Sequence, residues 1–391
     1  MKRRIFWGVL VFTAELLLFL ALVLATDGLL RQPFPDLPVS GQAGAAAPLE
    51  SNRVGASAGL TFTPVSTLYL PLVISQTVAP APPGPAWQQL TPTNAGPGPR
   101  YEHGLAYNAA THQLFLFGGR DGGAIYHDVW ALNLTTLTWR QLAVNVSPAP
   151  EARFSMVIIV DAPAQNLYVA TGQKQGGQVL GDIWRLDLTT ETWHDLSGAA
   201  GPGPIPRYGA AGGNLNGNLV VTHGFGSTRY NDTWLFNTGA GLWQQLTPGG
   251  DVPLNRCLLA ATPVSKRLVL HGGCASGFGD CPLDDTWVLD PAAQSWHEIS
   301  GTVEPAARQY HSLTQVAGRD QVLLFGGATD SGAANDLWLL DLTTESWQSL
   351  SVPGGPGPRF NHQAVWTPGG MLIYGGRNSG PLAELWRLTL P

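Results

Sequence analysis

From residue 100 to the C-terminus, short runs of aliphatic and aromatic residues alternate with glycine, proline and polar breaks on a fixed beat. Each beat opens with an arginine: Arg100, Arg153, Arg207, Arg256, Arg308 and Arg359, spaced by 53, 54, 49, 52 and 51 residues. A strand-type run then ends in glycine, at Gly119, Gly172, Gly224, Gly273, Gly327 and Gly376. An acidic residue and a Trp two positions on follow: Asp128/Trp130, Asp182/Trp184, Asp232/Trp234, Asp285/Trp287, Asp336/Trp338 and Glu384/Trp386. In the first five repeats a second Trp comes nine residues later. Four short β-type segments in a repeat of this length predict the blades of an all-β, six-bladed propeller rather than a helical solenoid.

The outer segment of each repeat reads Trp-x-x-Leu, as in Trp139/Leu142, Trp193/Leu196, Trp243/Leu246 and Trp347/Leu350, with Trp296/Ile299 as a variant. The sixth repeat stops at Pro391 without one, and a spare copy, Trp87 to Leu90, precedes the first repeat. Residues 87–90 are therefore expected to complete the sixth blade, which removes an open sheet edge and ties the termini together.

Four repeats carry an aromatic or His before a glycine pair: Phe117-Gly118-Gly119, His271-Gly272-Gly273, Phe325-Gly326-Gly327 and Tyr374-Gly375-Gly376. With its spaced Trp residues, this pattern resembles the kelch family of galactose-oxidase-type propellers over residues 86–391. Repeats two and three depart, with Thr171 and His223 in place of the first glycine.

An up-and-down meander puts each Arg, glycine pair and acid at one end of its blade, together with the loops joining the second to the third strand and the fourth to the next first. These loops are rich in proline and glycine, and this end is the variable face where binding is expected. The Trp residues at fixed repeat positions read as packing between blades. The six arginines pair either with the acids that head the third strands or, in part, with a carboxylate or sulfate ligand. The residue after each Arg varies, and the candidate ligand-binding set is Arg100, Tyr101, Glu102, Arg120, Phe154, Tyr208, Arg229, Tyr310, Phe360, Asn361 and Arg377. Other loop candidates are Asp121, Tyr126, Lys174, Tyr230 and Asp330. His103, His311 and His362 each stand three residues after an Arg; a blade-to-blade spacing is too wide for a shared metal, so hydrogen bonding at the strand start is expected. No catalytic set, metal set or cofactor motif is expected from the sequence.

A net charge of −6 with 12% charged residues gives no electrostatic footprint for nucleic acid. Met1-Lys-Arg-Arg precedes an apolar run at 5–25 interrupted by Glu15, which reads as a signal anchor or a cleaved signal peptide that puts the rest of the chain outside the cytoplasm. Residues 26–85, rich in Ala, Gly, Pro, Ser and Thr, read as a spacer. Of the three cysteines, Cys274 and Cys281 bracket one loop and are expected to form a disulfide in an oxidising compartment; Cys257 is left as a buried thiol.

These features point to a non-catalytic, extracytoplasmic module that binds a protein or glycan through its loop face. The alternative is a carbohydrate-modifying enzyme. The galactose-oxidase type requires copper-binding His beside a Tyr–Cys pair, and Cys257 has no His at the third position of its repeat. The sialic-acid-mutarotase type has Glu102 beside Arg100 as its best local candidate.

Overall fold

The computed structural model describes residues 84–144 and 147–391. The apolar run at 5–25, and all but the last positions of the 26–85 spacer, lie outside the described residues. Among the described residues no helix is long and apolar enough to cross a membrane. Among the described residues the single helical element is a 3-10 turn, Gln175–Gly177.

The described residues form twenty-four strands in six four-stranded antiparallel sheets. Strand β1 (Ala86–Leu90) leads. Blade 1 is β2 (Gly104–Asn108), β3 (Gln113–Phe117), β4 (Val129–Asn133) and β5 (Thr138–Gln141). Blade 2 is β6 (Val157–Asp161), β7 (Asn166–Ala170), β8 (Ile183–Asp187) and β9 (Thr192–Asp195). Blade 3 is β10 (Ala211–Leu215), β11 (Asn218–Phe225), β12 (Arg229–Asn237) and β13 (Leu242–Leu246). Blade 4 is β14 (Ala260–Val264), β15 (Arg267–Gly273), β16 (Leu283–Asp290) and β17 (Ser295–Ile299). Blade 5 is β18 (Ser312–Val316), β19 (Gln321–Thr329), β20 (Gly332–Asp341) and β21 (Ser346–Leu350). Blade 6 is β22 (Gln363–Thr367), β23 (Gly370–Tyr374) and β24 (Leu385–Thr389), completed by β1, which pairs Ala86 with Thr389 and Leu90 with Leu385.

Among the described residues the core is six seams, one between each pair of neighbouring blades, including the pair formed by blades 6 and 1, and a smaller cluster of Tyr208, Cys257 and Leu258. The fourth-strand Trp of a blade reaches back to the end of the second strand of the blade before it. Trp193 meets Phe117 edge-on at 5.7 Å, Trp139 meets Tyr374 at 5.7 Å, Trp347 meets His271 at 5.5 Å and Trp87 meets Phe325 at 5.4 Å. Each such pair adds about 0.5–1.5 kcal/mol beyond the area it buries. That explains why an aromatic or His stands before the glycine pair.

The first position of the glycine pair is left-handed. Gly118, Gly272, Gly326 and Gly375 have φ of +61° to +66°, and the ladder shifts register here in blades 3, 4 and 5, as at a bulge. Thr171 and His223 hold the same conformation at +65° and +58°, which for a β-branched Thr is a costly backbone.

Candidate functional site

The six arginines are buried at 0–2% exposure beneath the loop face. Arg100 donates to both oxygens of Asp128 at 2.7 and 3.1 Å, and Arg153 to both oxygens of Asp182 at 2.6 and 2.7 Å. Arg207–Asp232, Arg256–Asp285 and Arg308–Asp336 repeat the arrangement, while Arg359 donates to Glu384. Each guanidinium also donates to the carbonyl at the first position of the glycine pair and, through Nε, to the carbonyl two residues before itself. The acid accepts a further bond from the Trp Nε1 two positions on, at 2.7 Å in five blades and 3.1 Å at Trp386. Burial raises the carboxyl pKa of Asp182, Asp285, Asp336 and Glu384. The Arg hydrogen bond and charge and the Trp bond outweigh it and hold each below its usual value.

The arginine ring thus serves each blade's own network: Arg100, one of the ligand-binding candidates, directs four hydrogen bonds to Asp128, Gly118 and Gly98. Tyr126 and Tyr230, both half-buried, lie over Arg100 and Arg207 at 4.2 and 4.4 Å. Asp121 caps its own loop through the Gly123 and Ala124 amides, and Lys174 pairs with Glu151.

Two closed circuits of backbone hydrogen bonds hold this end of the ring. The amide of each second glycine donates to the carbonyl of the next blade's Arg at 2.8–3.0 Å, closing with Gly376 to Arg100. Nearer the axis, the second residue after each Arg donates to its counterpart one blade back. The circuit runs through Glu102, Ser155, Gly209, Leu258, Tyr310 and Asn361 at 2.8–3.3 Å, and Glu102 closes it on Asn361. All six are left-handed, with φ of +53° to +61°. These six residues line a pocket of about 70 Å³ at the neck, and the first strands enclose a central cavity of about 340 Å³ beneath it.

Around that neck the residue after each Arg bridges the residue after each second glycine: Tyr101 with Arg120, Phe154 with Gln173, Tyr208 with Phe225, Cys257 with Cys274, Gln309 with Ala328 and Phe360 with Arg377. Across blades 6, 1 and 2 these residues alternate as ring and guanidinium. Arg377 Cζ lies 5.5 Å from Phe360 and 5.0 Å from Tyr101; Arg120 Cζ lies 5.1 Å from Tyr101 and 4.0 Å from Phe154. Arg120 Nε also meets Glu102 Oε2 at 2.5 Å. Burial and then the Glu102 charge push the Tyr310 phenol well above its usual pKa, so it is a neutral hydrogen-bonding group. Tyr310 packs tilted on Phe360 at 6.2 Å. On the other side Arg229 Cζ lies 5.4 Å from Phe225, a residue the sequence reading missed although the offset shared with Arg120 and Arg377 locates it.

The expected disulfide between Cys274 and Cys281 is formed, and Cys257 is a buried free thiol. His103, His311 and His362 pack against glycines of the preceding blades, Gly375, Gly272 and Gly326. His362 bonds Ser312, whereas neither ring nitrogen of His103 or His311 meets a protein partner, so the expected hydrogen-bonding role fails for those two. Among the described residues no three His, Cys, Asp or Glu side chains converge as a metal-binding group.

The kelch-repeats domain described as KLHDC2/KLHL20/DRC7 matches residues 84–273 and 275–391. The chain belongs to the kelch-repeat family. This kelch chain is 32% identical over 286 residues to Adagio-like protein 1 of Oryza sativa subsp. japonica, covering 64% of this chain and 43% of that protein. It is 26% identical over 307 residues to Kelch domain-containing protein 10 of Homo sapiens, covering 71% of this chain and 68% of that protein. The match thus spans less than half of the rice relative, and a kelch propeller of this family is consistent with a non-catalytic binding module.

Proposed function

We propose that this chain is a binding module that works outside the cytoplasm, tethered or released at its N-terminus, and holds a protein or glycan partner on its loop face. The observation that carries this reading is the stack of Phe360, Arg377, Tyr101, Arg120 and Phe154 beside Glu102, Tyr310 and Asn361 at the neck. Aromatic and Arg side chains on a rigid floor are the chemistry of binding hot spots. The variable side chains gather there, whereas the repeated Arg and acid are consumed in each blade's own network. The Cys274–Cys281 disulfide supports an oxidising compartment, as does the basic start of the chain before its apolar run.

The test starts from a partner captured by crosslinking to the full-length chain. Arg377→Ala and Tyr310→Ala are expected to weaken its binding by roughly 30-fold each, the hot-spot range. Leu242→Ala, at an exposed position on the far end of blade 3, is expected to leave it unchanged. Full binding by both face variants, with loss in Leu242→Ala, would refute the reading.

A further inference from the structure

All three cysteines of the chain lie at the neck side of blade 4, where Cys274 bridges Cys257 through the backbone and is bonded to Cys281. Cys257 and Cys274 are direct cross-strand partners: the Cys257 amide donates to the Cys274 carbonyl at 3.1 Å, and the Cys274 amide donates back at 2.8 Å. A pair that exchanges both bonds has its Cα atoms about 5.5 Å apart and its side chains on one face. That separation lies inside the range that disulfides span. The equivalent pairs in other blades bring their side chains together, Arg120 lying over Tyr101 at 5.1 Å and Tyr208 packing on Phe225 at 5.7 Å, and Cys257 Sγ itself lies 4.0 Å from the Cys274 carbonyl. Cys257 is 3% exposed, whereas Cys281 is an exposed loop residue.

We infer that Cys257 exchanges with the Cys274–Cys281 disulfide and passes the chain's one free thiol to the surface. The Cys257 thiol gives its proton to solvent, and its Sγ attacks Cys274 Sγ. The new Cys257–Cys274 bond forms as the Cys274–Cys281 bond breaks, and Cys281 leaves as a thiolate that takes up a proton. No oxidant or reductant enters, because one thiol and one disulfide are present before and after. Arg229 is placed to favour the charged sulfurs: its Nη2 lies 3.7 Å from Cys274 Sγ. Burial pushes the Cys257 thiol up to about 11 against the pull of Arg229, which makes the exchange slow rather than forbidden. The loop it releases is held by Arg229 donating to the Cys274 and Ser276 carbonyls, and its tip, Phe278, is 49% exposed. The exchange therefore remodels the loop face and sets a reactive thiol upon it, a site for a thiol-bearing or electrophilic partner.

The full-length chain, held without oxygen at pH 8.5 with N-ethylmaleimide and then digested without reduction, tests this. The expected result is label on Cys281 together with a Cys257–Cys274 crosslinked peptide, forming about tenfold faster per pH unit. Label confined to Cys257, with Cys274–Cys281 the sole disulfide, would overturn the inference. Cys281→Ser, a change at an exposed loop position, gives an independent arm. Its two remaining thiols are expected to close into a disulfide with oxidised glutathione, and their persistence as two free thiols would overturn the inference equally.

Discussion

Acid should unfold this ring in two separate windows, and the first belongs to histidine. His103, His223, His271, His311 and His362 are 0–5% exposed. Burial and then neighbouring Arg or His charge hold every one of them below its usual pKa, with His271 and His362 near 3. A base whose pKa is lower folded than unfolded stays neutral in the native ring while the unfolded chain takes up protons, so stability falls as pH drops below the unfolded value. For an unfolded pKa of about 6.5, each imidazole that stays neutral costs about 1.2 kcal/mol between pH 7 and 5.5. Five such groups cost about 6 kcal/mol, a large part of the ~5–15 kcal/mol that holds a typical domain. Denaturant unfolding followed by Trp fluorescence at pH 7, 6 and 5.5 reads this loss directly. His311→Leu and His103→Met install residues that Leu259 and Met156 already place at this position in blades 4 and 2. Each variant should reduce the pH-dependent loss by about one fifth. Stability that stays flat from pH 7 to 5.5, or variants with the same slope as the parent, would refute the reasoning.

The second window is the carboxylates': Asp182, Asp285, Asp336 and Glu384 have folded pKa values below their usual ones, so the stability they add is present near neutrality and is lost as pH falls below about 4. A titration that shows a single acid transition would contradict this separation. Asp285→Ala strands a fully buried Arg256 and should cost about 3–5 kcal/mol in denaturant unfolding. Thr171→Gly restores the residue that blades 1, 4, 5 and 6 use at a φ near +65°, and should raise stability by about 1 kcal/mol. Deleting residues through Leu90 removes β1 and should expose blade 6 to limited proteolysis, whereas deletion up to Gly84 should not.

The architecture was readable because the ring repeats one solution six times. Arg, acid and Trp recur at fixed offsets, so their mutual network follows once a meander is assumed. The strand needed for closure was visible as a spare Trp-x-x-Leu. The neck circuit was not visible: it is a backbone feature, and Glu102, Ser155, Gly209, Leu258, Tyr310 and Asn361 share no side-chain chemistry. Glu102, Tyr310 and Asn361 were candidates as neighbours of the variable residue after each Arg, and Glu102 also for its place beside Arg100. A loop sequence likewise does not reveal that Tyr126 and Tyr230 each place a ring over a buried guanidinium. The cross-strand partnership of Cys257 and Cys274 was hidden for a similar reason. It depends on an isolated bridge between segments whose offset is set by the bulge at the glycine pair.

The direction of β1 has a mechanical consequence. Its Ala86 end lies opposite Thr389 and its Leu90 end opposite Leu385, beside Glu384 at the loop face. A load that enters at Ala86 while the loop face is gripped therefore runs along the strand. Under such a load the rungs between β1 and β24 are strained together in shear, and the Trp87 ring, wedged against Phe325, resists the slide. A strand of the same sequence entering from the loop face would instead peel open one rung at a time. The closure that completes the sixth blade is thus oriented as a tension-bearing joint.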